Sequence, residues 1–222
     1  MSNLRVEGVQ TLEAGGTYEL VKIEGVCTVH GDIVGESIDI DGVSTMNGDL
    51  GGGRLDCDGV ATINGNVQLD DVECDGVTTI GGNLRAKRVV INGVLTVKGS
   101  RVEAEKVLCE GVLTVEGELN AEVIEADGYI MAHEIVGERV VIRSRTNRFK
   151  RLFIRWFDSK MGKFNFIEAT EVELRKVSAK TVHGHTITIG PKCEIDTVDC
   201  SGTLHIDPSA TVGTITGNYT LV

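Results

Sequence analysis

The sequence predicts an all-β protein, a right-handed parallel β-helix wound in 17-residue coils, and three observations carry that expectation. A glycine returns at a fixed 17-residue step, at Gly8, Gly25, Gly42, Gly59, Gly76, Gly93, Gly111 and Gly128, and only the step into Gly111 runs one position longer. The words around it barely change: Asp41-Gly42-Val43-Ser44-Thr45-Met46-Asn47-Gly48 and Glu110-Gly111-Val112-Leu113-Thr114-Val115-Glu116-Gly117 share the pattern acid-Gly-Val-x-Thr-apolar-x-Gly. Ahead of the glycines run two apolar columns of alternate residues, one through Val6, Ile23, Ile40, Cys57, Cys74, Ile91, Cys109 and Ala126, the other through Val21, Ile38, Leu55, Val72, Val89, Val107 and Ile124. Period-two alternation rich in β-branched residues marks strands with one face inward. A unit this short cannot bury a core alone, so each coil must pack on its neighbours.

Taken in order, residues 1–142 form the coils, residues 143–171 a basic aromatic insertion, and residues 172–222 the closing coils. The marker glycines read as corners, where positive φ comes at no steric cost. Seventeen residues suit three short faces; a left-handed hexapeptide helix would instead keep a multiple of six. Eight coils about 4.8 Å apart make a rod of roughly 38 Å before the closing coils. After the insertion the register returns: Ile189, Pro191, Cys193, Ile195 and Val198 are answered one 17-residue step later by Ile206, Pro208, Ala210, Val212 and Ile215.

Composition fits thin, regular filling. Only 4% of residues are aromatic, 28 are glycine and 41% are hydrophobic, and the hydrophobic residues fall in register, which argues against disorder. No apolar run approaches the roughly 18–20 residues that cross a bilayer, and the start of the chain does not resemble a secretion signal, so a cytoplasmic protein is expected. The six cysteines fit a reducing compartment. Cys57, Cys74 and Cys109 share a column with isoleucine and valine and read as small buried hydrophobes, with a disulfide or metal ladder as the alternative.

The insertion differs in kind. From Arg143 to Lys163 eight Lys or Arg stand against Asp158 alone, so the rest of a chain of net charge −11 carries −18. Every phenylalanine and the one tryptophan lie in or beside this stretch. On a helix, Phe149, Leu152, Phe153, Trp156 and Phe157 share an arc of about 140°, with Arg148, Arg151 and Arg155 on the far side. A basic helix with a Trp and Phe face suits an anionic membrane surface, each basic residue contributing on the order of 1 kcal/mol. Two other readings stand beside it. The segment could pack back on the solenoid over a strand edge, or it could bind single-stranded nucleic acid, which the acidic body would repel.

Both ends of the coil stack lack an obvious cap. Leu4 and Val6 open the first coil, and Ile206, Val212, Ile215, Tyr219 and Leu221 close the last, so these residues form the expected polymer interface. If coil stacks on coil, chain can stack on chain.

These repeats, as in Asp58-Gly59-Val60-Ala61-Thr62-Ile63-Asn64-Gly65-Asn66-Val67, resemble the bactofilins, bacterial polymer-forming cytoskeletal proteins built on a right-handed β-helix. The resemblance covers about residues 4–142 and 172–217. It implies nucleotide-independent, end-to-end polymerisation with itself or a paralogue, peripheral attachment at the inner membrane face, and scaffolding in cell shape, polar organisation or motility. The chain departs from the family plan of one uninterrupted helix between disordered tails, so the family's N-terminal membrane anchor maps to no residue here.

Enzymes also use β-helices, among them acyltransferases and γ-class carbonic anhydrases, and fold alone does not decide. His183-x-His185 with Cys200, one 17-residue step above His183, is the nearest approach to a zinc set, but no paired ligand motif accompanies it. No catalytic residue, metal, cofactor or small-molecule substrate is therefore expected. One further series stands out: Glu7, Glu24, Asp41, Asp58, Asp75, Glu110 and Asp127 each precede a marker glycine, with Asn92 between. Turn preference accounts for the aspartates; divalent cations or a basic segment could also occupy such a ladder.

Overall fold

The computed structural model describes residues 2–143 and 163–222, which form only strands and turns and contain no helix. One sheet carries β1 (Ser2–Val6), β3 (Gly16–Ile23), β5 (Ile33–Ile40), β7 (Leu50–Cys57), β9 (Val67–Cys74), β11 (Leu84–Ile91), β13 (Arg101–Cys109), β15 (Glu118–Ala126), β17 (Glu134–Arg143), β18 (Lys163–Arg175), β19 (Ser178–Ile189), β20 (Glu194–Ile206) and β21 (Thr211–Thr216), with β22 (Thr220–Leu221) also on β20. The second sheet stacks β2 (Val9–Leu12), β4 (Val26–His30), β6 (Val43–Asn47), β8 (Val60–Ile63), β10 (Val77–Ile80), β12 (Val94–Val97), β14 (Val112–Val115) and β16 (Tyr129–Met131). All pairings are parallel, and the result is a β-solenoid of about 12 turns.

The apolar columns read from the sequence are physical stacks. Ile23 lies over Val6, then Ile40, Cys57, Cys74, Ile91, Cys109, Ala126, Ile142, Leu174, Ile189 and Ile206 follow in register. A parallel stack runs from Leu4 through Val21, Ile38, Leu55 and Val72 up to Leu204 and Leu221. Most of these side chains are fully buried, and each buried Val, Leu or Ile contributes about 1.5–3 kcal/mol. Inward alternation and coil stacking thus come from one source.

The corners differ from the expectation. None of the eight marker glycines has positive φ; among the described glycines only Gly31, Gly52 and Gly217 do. The marker glycines are required by close approach, because a Cβ on Gly25, Gly42, Gly59, Gly76, Gly93, Gly111 or Gly128 would overlap the carbonyl oxygen of the marker glycine one coil below. That approach lets the backbone N–H groups of Asp58 and Gly59 both donate to the Ile40 carbonyl, at 3.1 and 2.9 Å. A second corner is tied by side chains: Oδ1 of Asp32, Asp49, Asn66 and Asn83 accepts from the backbone N–H of Asp49, Asn66, Asn83 and Arg101 in turn, at 2.7–3.1 Å. The ladder is interrupted at Glu36, Gly53, Asp70 and Lys87, the third corner of the coil.

Beyond β16 the second sheet ends and the coils change. β18, β19 and β20 lengthen to 13, 12 and 13 residues. Ser178 lies over Lys163, a 15-residue step, and Glu194 over Ser178, a 16-residue step; Thr211 over Glu194 restores the 17-residue one. The 17-residue match of Ile189 to Ile206 and of Ile195 to Val212 holds, but the coils beneath are shorter. Of the span 143–171 set apart on the sequence, Arg143 ends β17 and residues 163–171 belong to β18.

Candidate functional site

Three places combine exposure with chemistry: the two ends of the stack, the histidines of the closing coils, and the acidic ladder. The residues expected at the membrane, Arg148, Phe149, Arg151, Leu152, Phe153, Arg155, Trp156 and Phe157, lie outside the described residues.

At the lower end, among the described residues, β1 pairs with β3 alone and β2 with β4 alone. Val6 is buried at 1% exposure and Leu4 is half-buried against the core. Gly8 is the one marker glycine whose added Cβ would meet nothing within 4 Å. Val9 is 83% exposed, against 43–45% for Val26, Val43, Val60 and Val77 in the coils above. Gln10 was missed on the sequence: it occupies the inward column continued by Cys27, Ser44 and Ala61, yet it is exposed. At the upper end, Ile206, Val212, Ile215 and Tyr219 are half-buried against the core, and Leu221 is 63% exposed. The Val222 backbone is held down by a bond to the Leu204 carbonyl at 3.1 Å and by His205 Nδ1 on its carbonyl oxygen at 2.8 Å.

The histidines do not assemble as the 17-residue step implied. His183 pairs across to Asp199, and Cys200 lies over Gly184, because a 16-residue step separates these two coils. Cys200 is fully buried, with its Sγ on the His185 carbonyl at 3.3 Å, while His183 faces outward beside Glu168 at 3.4 Å. A bulge sets Ser201 and Gly202 opposite His185, whose ring packs where a Gly202 Cβ would be and whose Nδ1 lies 3.2 Å from Ser201 Oγ. Among the described residues no group of three or more His, Cys, Asp or Glu is placed to hold a metal ion.

The acidic ladder is partly neutralised from within. Arg5 bridges Glu7 and Glu24 at 2.7 and 2.9 Å, and Lys22 reaches Asp39 at 2.9 Å and Asp41 at 3.3 Å. Arg54 joins Asp56 and Glu73, at 2.9 and 2.8 Å. Asp58 sits amid the acids: lost hydration pushes its carboxyl above the ordinary range, and Asp56, Asp75 and Asp41 push it further. At Asn92 the column becomes neutral and its amide donates to Asp75 Oδ1 at 2.6 Å. An open groove of about 1140 Å³ runs over β5 to β13, but its charged walls pair with one another, as in Lys87 with Asp70 at 2.8 Å and Arg101 with Glu103 at 3.0 Å.

This architecture defines a parallel β-solenoid. Over 50 residues, 22% of this chain, it is 50% identical to the uncharacterized protein YhbE of Bacillus subtilis (strain 168). The chain spans about 21% of that relative's length. No protein-family profile matches the chain, and no solved structure matches it. No helix among the described residues is long and apolar enough to cross a membrane.

Proposed function

We propose that this protein is a structural scaffold that assembles end to end into nucleotide-independent filaments, as its resemblance to the bactofilins implies. One observation carries the reading: a single inward column begins at Leu4 and finishes at Leu221, and both of these residues are only partly covered. Among the described residues the column ends on parallel strands that have one neighbour each, the geometry on which a further coil can form. Added coils would cover Leu221 and Leu4 and satisfy the edge backbone groups. Gln10 would enter the core column at such a joint, where its amide needs a partner.

Sedimentation velocity of the full chain tests this. Wild type should form assemblies that grow with concentration, while Leu221→Asp and Gln10→Glu should stay monomeric with unchanged circular dichroism. A wild type that stays monomeric at high concentration overturns the proposal.

The basic aromatic segment at 148–157 supports attachment of such filaments to anionic lipid at the inner membrane face, where many weak copies add by avidity. Co-sedimentation with anionic vesicles should be lost in a Phe153→Asp, Trp156→Asp double variant. Equal binding by both proteins excludes that segment as the contact. The reading includes no catalysis, cofactor or small-molecule substrate.

A further inference from the structure

Three asparagine–glycine pairs stand at corners of the coils: Asn47-Gly48, Asn64-Gly65 and Asn92-Gly93. A glycine leaves its backbone nitrogen unshielded by any side chain, and that nitrogen can attack the side-chain carbonyl carbon of the asparagine before it to close a five-membered imide. The dipeptide is the same in all three. Any difference in their reactivity comes from the fold.

At two of them the attacking nitrogen is engaged. Gly93 N–H donates to the Cys74 carbonyl at 2.9 Å, and Gly65 N–H to the Gly48 carbonyl at 3.2 Å. Gly82 and Gly99 bond to the coil below in the same way as Gly65, at 2.9 and 3.1 Å. Gly48 is the exception, since among the described residues its N–H meets no acceptor. The cause lies one coil below, at Gly31. With φ at 111°, Gly31 directs its own N–H upward to the Asn47 carbonyl at 3.3 Å instead of offering its carbonyl to Gly48. That bond also draws charge from the Asn47–Gly48 peptide, whose nitrogen must attack.

The side chain of Asn47 is flanked for the same reaction. Its Oδ1 accepts from Asn64 Nδ2 at 2.7 Å, which stabilises the negative charge that grows on this oxygen as the nitrogen adds. His30 Nδ1 lies 3.3 Å from Asn47 Nδ2, the nitrogen that departs. Asn92 has opposite surroundings: its Nδ2 donates to Asp75 Oδ1 at 2.6 Å, and a carboxylate beside the reacting amide opposes the charge of the adduct. Above Asn64 stands Gly81, which brings no side-chain donor to its oxygen.

We propose that Asn47-Gly48 is a site of self-modification, at which the chain deamidates with His30 and Asn64 as the assisting groups. Gly48 N bonds to Asn47 Cγ and gives its proton to solvent. The Cγ–Nδ2 bond then breaks, His30 delivers a proton to Nδ2, ammonia leaves, and His30 recovers a proton from solvent. Water opens the imide at either carbonyl to give aspartate or isoaspartate, with no change of oxidation state. Either product adds a carboxylate beside His30, and isoaspartate also lengthens the backbone at the corner.

Peptide mapping by mass spectrometry of the full chain, folded and in guanidinium chloride, tests this. In denaturant the three sites share one local chemistry and should convert at similar rates. In folded protein Asn47 should convert about tenfold faster than Asn64 or Asn92, or more. His30→Gln, at an exposed position, should lower the Asn47 rate toward that of Asn64. The Asn92 rate, which rises on unfolding, gauges the fold of that variant in the same sample. An Asn47 rate no greater than those of Asn64 and Asn92 in folded protein overturns the site, and an unchanged Asn47 rate in folded His30→Gln overturns the proton delivery.

Discussion

A Cβ on Gly59 would overlap the carbonyl oxygen of Gly42, one coil below. Gly59→Ala must push two coils apart and break the bonds that Asp58 and Gly59 make to Ile40, a cost of about 3 kcal/mol. Gly8→Ala meets nothing and should leave the melting temperature of the monomer unchanged. Thermal melts of the two variants check this directly, and equal losses would contradict it.

Ser44 is 1% exposed and its hydroxyl has no hydrogen-bond partner among the described residues. It stacks between Cys27 and Ala61, so the column already accepts a side chain as small as alanine. Ser44→Ala should stabilise the fold by about 1 kcal/mol, since a buried unpaired hydroxyl costs about that or more. Denaturant unfolding with an unchanged m-value is the measurement; a loss of stability would show that the hydroxyl is bonded.

The coil repeat, the two inward columns and the closing register of Ile189 with Ile206 were legible because burial forces one residue type into one column. The role of the marker glycines was not: a period shows that glycine is needed, while only coordinates show a carbonyl in place of the Cβ. The match of His183 to Cys200 failed for a different reason. The buried pairs Ala179 with Ile195 and Val182 with Val198 mark a 16-residue step between these coils, and the 17-residue step carried over from the earlier coils set an outward histidine against an inward cysteine. Gln10 was overlooked because the end coil keeps its marker glycine and valine while changing one inward residue.

Asp58 should make stability depend on pH in a particular direction. Its carboxyl is raised by lost hydration first and by neighbouring acids second, so the folded state holds its proton more tightly than the unfolded chain. The penalty is fully present above the folded pKa, falls as pH drops through it, and is gone below the unfolded value near 3.9. Asp58→Asn should therefore raise the melting temperature at pH 7 but not at pH 3, and added salt should narrow the gap. Asn92 already occupies this column, so the asparagine fits. A gap that is the same at both pH values would contradict the electrostatic cause.

Burial pushes the Cys74 thiol up to about 11 and the Cys109 thiol up to about 12. All six cysteines are buried and free. Native protein at pH 8 should react with a thiol reagent at none of them within minutes, and at all six after denaturation. Rapid labelling of any thiol in the folded state would show that a coil opens.

Electron microscopy of the purified full chain in negative stain tests the open column from Leu4 to Leu221 most directly. The account predicts continuous filaments, without added nucleotide, whose axial repeat reflects about 12 coils, or about 58 Å at 4.8 Å per coil. Discrete rods of that length at high concentration, never joined at their ends, would contradict it.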